Sequence, residues 1–244
     1  MTVGSTADTG EATVRANLQE LERILAMTGG LPGIGERVGL ISGYFLGRPY
    51  LANPLVGSPE EREQFVTRLD AFDCVTFVES VLALARCRRP EDYDRELSAL
   101  RYEGGKIDWA ARNHYTSDWI ARNVAAGRLE PLLAEHTIAE ERLLCALDGY
   151  PSKEQRLGYL PRARAELLAT AGRTGDVVCF VSTRPELDTF HLGLLATGDP
   201  IRFRHASRTA GMVVEEPLGG FLDRNETPGL LLARPVDNHG GTLS

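Results

Sequence analysis

The chain is poor in the features that mark several protein classes. Its 244 residues hold only four cysteines, Cys74, Cys87, Cys145 and Cys179, with no CxxC pair and no regular spacing. That excludes a zinc ribbon or a disulfide scaffold and fits a reducing compartment. No apolar run approaches the roughly 18 residues that a membrane span needs. The formal net charge is −7, and no basic stripe interleaved with aromatics is present, which argues against nucleic acid as a partner. The N-terminus, MTVGSTADTGEATVRANLQELERI, lacks a basic stretch followed by an apolar one. As it stands the chain reads as cytoplasmic; an exported or periplasmic protein without its native N-terminus would read the same. Internal repeats and low-complexity linkers are missing too. One domain over 11–244 is therefore expected, behind a small, polar, disordered tail at 1–10.

What is present divides into two grammars. Val14, Leu18, Leu21, Ile24 and Leu25 recur with helical period up to Gly29–Gly30, and a second helix is expected over 34–46. SPEEREQFVTRL (58–69) opens with a capping serine, a proline and two acids, the signature of a helix start. In DAFDCVTFVESVLALA (70–85) the stripe Val75, Val78, Leu82, Ala85 predicts a buried helix running to about Cys87. Helical patterns return at 91–100, 115–126, 137–147 and 161–171, so the region of about 88–171 reads as a helical insertion. After Gly172 the segments GDVVCFVST, FHLGLLAT, IRFRHAS, GMVVEEP and LLLARPV are short, β-rich and separated by turn residues. The expected class is α+β: helices first, then a meander of about five strands.

Cys74 stands where a thiol is most easily ionised. With Asp73 as cap it is the first residue of a helix, beside unpaired backbone N–H groups and the positive end of the helix dipole. The competing reading is a packed thiol, the reading given to the other three cysteines. A nucleophilic cysteine needs a base, usually a histidine held by a third polar group. His239 lies in a Gly-rich tail and His136 in a polar connection. His191 and His205 fall on consecutive strands. A three-residue loop centred on Gly198 would set them directly opposite each other, about 4.5–5.5 Å apart at Cβ; an even-length loop would put them on opposite faces. A metal site made from Cys74, His191 and His205 is the minor alternative.

Taken together, GRPY (47–50), FDCVTFVES (72–80), ARNHYTSDW (111–119), GDVVCFV (175–181), FHLGLL (190–195) and RHAS (204–207) resemble the N-acetylmuramoyl-L-alanine amidase-like family, within the NlpC-type, papain-like cysteine hydrolases. The resemblance implies a papain-like arrangement, with the nucleophile helix packed on a five- to six-stranded antiparallel sheet. It implies Cys74 as nucleophile, His191 as general base and acid, and His205 as the residue that orients it. Tyr50 resembles the tyrosine that helps line the oxyanion site. The implied reaction is cleavage of the amide between N-acetylmuramic acid and L-alanine in a muropeptide, through a thioester, with no metal or cofactor. Asn113, His114, Tyr115 and Trp119 offer hydrogen bonds and stacking faces for a sugar or peptide. Arg202, Arg204 and Arg208 flank His205 and read mainly as solvated strand charges. The alternative is a cytoplasmic thioesterase, acyltransferase or amide-forming enzyme using the same Cys–His machinery.

Overall fold

The computed structural model describes residues 8–237, with side chains from Leu18 on. Residues 1–7 of the expected tail, and His239, lie outside that range; Asp8–Gly10 already form the first turn of a helix. Helices α1 (Asp8–Thr28), α2 (Ile34–Tyr44), α3 (Cys74–Arg86), α4 (Tyr93–Arg101) and α5 (Thr116–Ala125) precede the sheet, and the short α6 (Leu168–Ala171) and α7 (Leu218–Arg224) follow within it. The strands are β1 (Leu129–Pro131), β2 (Ile138–Leu144), β3 (Lys153–Pro161), β4 (Val177–Val181), β5 (Thr189–Ala196), β6 (Arg202–Ser207), β7 (Met212–Pro217) and β8 (Gly229–Pro235). They form one antiparallel sheet in the order β2-β3-β8-β4-β5-β6-β7, with β1 added alongside β8.

Strand alternation divides the core in two. Val177, Cys179, Val181, Leu192, Leu194, Ala206 and Val213 face α3 and its neighbours, where Phe77, Val78, Val81 and Leu84 meet them. Val178, Phe180, Leu195 and Phe203 point to the other face, under Leu168 of α6 and Leu218, Phe221 and Leu222 of α7. Each fully buried Val, Leu or Phe side chain among them contributes roughly 1.5–3 kcal/mol. Inside the first core Arg101 Nε of α4 donates to Glu79 Oε2 of α3 at 2.6 Å, both side chains almost wholly buried. Removing one partner of such a pair costs about 3–5 kcal/mol, so the pair ties α3 to α4.

Three expectations are corrected. The insertion is not helical throughout: 137–147 contains β2, and the 161–171 segment is mostly 3-10 turn with one short α-turn. Ala, Glu, Arg and Leu suit a helix locally, but pairing of all seven β2 residues with β3, and of β3 with β8, decides the outcome. The 58–69 segment is a loop. Its serine does act as a turn former, its Oγ accepting from the N–H groups of Glu60 and Glu61, yet no helix follows. Finally, the sheet has eight strands, because β1 and the β2–β3 hairpin from the insertion join it.

Candidate active site

Asp73 caps α3 as expected. Its carboxylate accepts from Thr76 N–H and from Thr76 Oγ1, both at 2.7 Å, and its own N–H donates to Thr76 Oγ1 at 3.0 Å. Cys74 is the first helical residue, half-buried against the first core, and its own N–H has no backbone acceptor among the described residues. Tyr50 is drawn beside it by the backbone: Leu51 N–H donates to Phe72 O at 2.8 Å, and Phe72 N–H to Pro49 O at 3.0 Å. The Tyr50 phenol stays protonated, held up by burial and by the nearby Cys74 and Asp73.

The thiolate expectation is reversed. Burial, reinforced by the Asp73 carboxylate, pushes the Cys74 thiol up to about 12, although the backbone N–H groups of Leu192, Val75 and Cys74 pull the other way. The dipole of one helix end is outweighed by desolvation and an adjacent anion.

The two histidines meet, but by a different register. Ala196 pairs with Arg202, Leu195 with Phe203 and Leu194 with Arg204, so the connection spans five residues, 197–201, and includes a cis Asp199–Pro200 bond. His205 then falls opposite Gly193, diagonal to His191 and on the same face. A side chain at Gly193 would strike Arg204 O at 2.4 Å and the Phe203 ring at 2.7 Å, so the close approach of β5 and β6 requires glycine there. His191 Nε2 lies 2.7 Å from His205 Nδ1. Phe190 is an extra residue between the pairs Val181–Thr189 and Phe180–His191, a bulge immediately before the histidine.

Glu216 completes the row, and sequence reading missed it. His205 Nε2 lies 3.0 Å from Glu216 Oε1, and Arg224 of α7 holds the other carboxylate oxygen. The signal was the short turn joining Ser207 to Met212, which pairs Phe203 with Glu216 and so sets Glu216 on the histidine face. The tautomers follow. A carboxylate only accepts, so His205 Nε2 carries the proton; neutral His205 then accepts at Nδ1, and His191 donates from Nε2. His191 Nδ1 is left as a bare lone pair. Burial, with His205 beside it, pulls the His191 pKa down to about 3, so the ring is neutral. Burial lowers His205 as well, against the pull of Glu216.

Cys74 makes no hydrogen bond to either histidine. His191 pairs with Phe180 and packs against Phe180, Phe203 and Phe221, on the face opposite α3. The sulfur instead meets the strand at the backbone of Leu192, the residue next to His191.

Beside Cys74 lies a cavity of about 350 Å³, lined in part by Asp73, Val75, Leu192, Asn113, His114 and Trp119. Its far wall is pinned to β5: Asp188 accepts from Ser117 N–H at the start of α5, and Thr189 Oγ1 bonds Thr116 Oγ1 at 2.8 Å. Asn113 is largely occupied internally, donating to Leu100 O and accepting from Arg122. Trp119 is buried with no partner for its Nε1. Tyr115 is buried and packs on Tyr150 rather than facing the cavity. Arg204 is not a solvated charge; it pairs with Glu215 and donates to Gly39 O of α2. Arg202 also pairs with Glu215. Cys87 and Cys179 are buried, whereas Cys145 is exposed, contrary to its reading as core filler. Among the described residues no group of three His, Cys, Asp or Glu side chains is placed to hold a metal ion, and no helix is long and apolar enough to cross a membrane.

Solved structures of amidases share this α+β architecture. An N-acetylmuramoyl-L-alanine amidase from Bacteroides uniformis superposes with a TM-score of 0.74 at 25% identity, covering 84% of this chain and 99% of that one. A second structure of an amidase of that name from the same organism gives 0.73 at 26% identity, covering 83% and 98%. A Legionella pneumophila protein shares the fold, with a TM-score of 0.76 at 22% identity over 93% of this chain and 98% of its own. No curated protein matches. The AmiA-like family, described as N-acetylmuramoyl-L-alanine amidase-like, matches residues 40–230, and the chain belongs to it.

Proposed function

We propose that the protein is a cysteine-dependent amidase that cleaves the amide between N-acetylmuramic acid and L-alanine in peptidoglycan fragments. The observation that carries this reading is the Glu216–His205–His191 row, which leaves Nδ1 of His191 unprotonated on the residue next in chain to Leu192, whose backbone meets Cys74. The order cysteine, histidine, histidine also fits the NlpC-type, papain-like superfamily.

The resting pair is neutral, a thiol and an imidazole. Activation is therefore general-base catalysis during attack and not a standing thiolate. As the substrate carbonyl settles over α3, His191 Nδ1 takes the Sγ proton, a transfer that requires the ring to turn from its packing on Phe221 toward α3, and Sγ bonds to the carbonyl carbon. Hydrogen bonds of this kind are commonly long without substrate and tighten when it binds. The carbonyl oxygen becomes an oxyanion, stabilised by the N–H of Cys74 and the Tyr50 phenol, which lies near Cys74. The proton on Nδ1 passes to the leaving nitrogen, the C–N bond breaks, and the free amine of L-alanine departs. The acyl group remains as a thioester. Water then gives a proton to Nδ1 and attacks; the C–S bond breaks, and the proton returns to sulfur. His205 keeps the ring in one tautomer, and Glu216 stabilises the charge on the histidine pair while His191 is protonated.

Incubation with a defined muropeptide and, separately, with an acyl thioester, followed by mass spectrometry, tests the reaction class. Free stem peptide and intact sugar acid are expected from the first. Turnover of the thioester alone would favour thioesterase or acyltransferase chemistry on the same residues.

A further inference from the structure

Arg224 stands at the solvent end of the Glu216–His205–His191 row. Its Nη2 donates to Glu216 Oε2, the oxygen that His205 leaves free, and Glu216 is its only ion-pair partner among the described residues. The pair is open to water: 60% of the Arg224 side chain is exposed, against 22% of Glu216. Exposed pairs of this kind contribute little to stability, so folding alone does not account for the contact.

The helix dipole does not account for it either. Arg224 lies in the last turn of α7, where a cation would serve the terminal carbonyls. Its guanidinium instead runs back along the helix. A Cβ on Gly220, one turn earlier, would touch its Nη1 at 3.5 Å, and Glu216 precedes the helix altogether. Phe221, three residues before Arg224, shares that side of α7. Its ring stacks on His191 with centroids 5.4 Å apart and meets His205 edge-on at 5.3 Å. One helical turn therefore grips the row at its buried end and at its solvent end. The turn itself is anchored: Leu218, Phe221 and Leu222 are buried in the second core, Leu218 N–H donates to Ile201 O at 3.0 Å, and Asn225 Nδ2 donates to Phe221 O at 2.8 Å.

The Glu216 side chain has three rotatable bonds and reaches solvent. With Arg224 on Oε2, Oε1 is held 3.0 Å from His205 Nε2. Without that charge-assisted bond the carboxylate is free to turn, and His205 loses its fixed acceptor.

We infer that Arg224 is a positioning residue for the reaction: acting through Glu216, it holds His205 in the tautomer that leaves His191 Nδ1 free. The inference rests on the amidase reading for the use made of His191, while the tautomer itself is measurable without substrate.

The test uses the full chain with ¹⁵N-labelled histidine, as wild type, Arg224→Ala, Arg224→Lys, Glu216→Ala and the Arg224→Ala/Glu216→Ala double variant. In Arg224→Ala the ring shifts of His191 and His205 should move from one tautomer toward a mixture. Its kcat/KM on a defined muropeptide should fall about 10-fold, the lower end of the worth of a hydrogen bond to a charged group. Arg224→Lys, which keeps a cation, should recover most of both, and the double variant should be no worse than Glu216→Ala alone. Wild-type ring shifts and turnover in Arg224→Ala overturn the inference and leave the amidase reading intact. A lowered urea midpoint with unchanged ring shifts overturns it too, since Arg224 would then be structural, as does a further 10-fold loss in the double variant. If wild type cleaves no muropeptide but the ring shifts respond as described, the amidase reading fails and the inference survives.

Discussion

His205 lies between two partners: its Nδ1 is 2.7 Å from His191 Nε2 and its Nε2 is 3.0 Å from Glu216 Oε1. This fixes which nitrogen of His191 is free, so Glu216 controls the base through one intervening ring. Glu216→Gln keeps an acceptor oxygen and should preserve the tautomer; Glu216→Ala removes it. The expected loss in kcat/KM is about 10-fold or less for Gln and 100-fold or more for Ala, the range of general-base effects. The ¹⁵N shifts of His191 should report Nε2–H in wild type and Gln and a tautomer mixture in Ala. Equal activity in the two variants would show that Glu216 acts only as a packing group.

The Asp73 carboxylate both caps α3 and raises the Cys74 thiol. Asp73→Asn retains a good cap, so stability should change by no more than about 0.5 kcal/mol. Its lost charge should make Cys74 more acidic. In wild type a thiol near 12 is almost fully protonated at pH 7, so iodoacetamide should label the exposed Cys145 well before Cys74. In Asp73→Asn, labelling of Cys74 should accelerate. Unchanged labelling would mean that Asp73 does not set the thiol.

How much of this was legible in the sequence depends on range. The α3 start, its Asp73 cap and the strands carrying His191 and His205 are short-range patterns, and all three are found where their residues put them. The β2–β3 hairpin was hidden because AEERLL has helical propensity and becomes a strand only through pairing with distant residues. Loop length was legible only in parity. The odd count put both histidines on one face, but five residues in place of three moved them from opposite to diagonal. The Cys74 pKa could not be read at all, because burial is a tertiary property.

His191 binds a proton near 6.5 in an unfolded chain and near 3 in the fold. Between those values the unfolded state holds more protons, so this residue's contribution is fully present above about pH 6.5 and is lost as pH falls toward 3. The loss is about 2 kcal/mol at pH 5. Urea unfolding at pH 7.5 and 5.0 should show that difference shrinking in His191→Gln, while an equal drop in both proteins would assign it to other groups. The acid limb of activity should likewise lie below the ordinary histidine range.

The central claim is that Cys74 forms a covalent bond with the acyl group under the control of His191. Rapid quenching of a reaction with a defined muropeptide, followed by peptide mapping, measures this directly. The account predicts the N-acetylmuramoyl acyl mass on the Cys74 peptide in wild type, with no adduct and at least a 1000-fold loss of turnover in Cys74→Ala, on the order seen when a nucleophile is removed. Stem-peptide release by Cys74→Ala at the wild-type rate would contradict it.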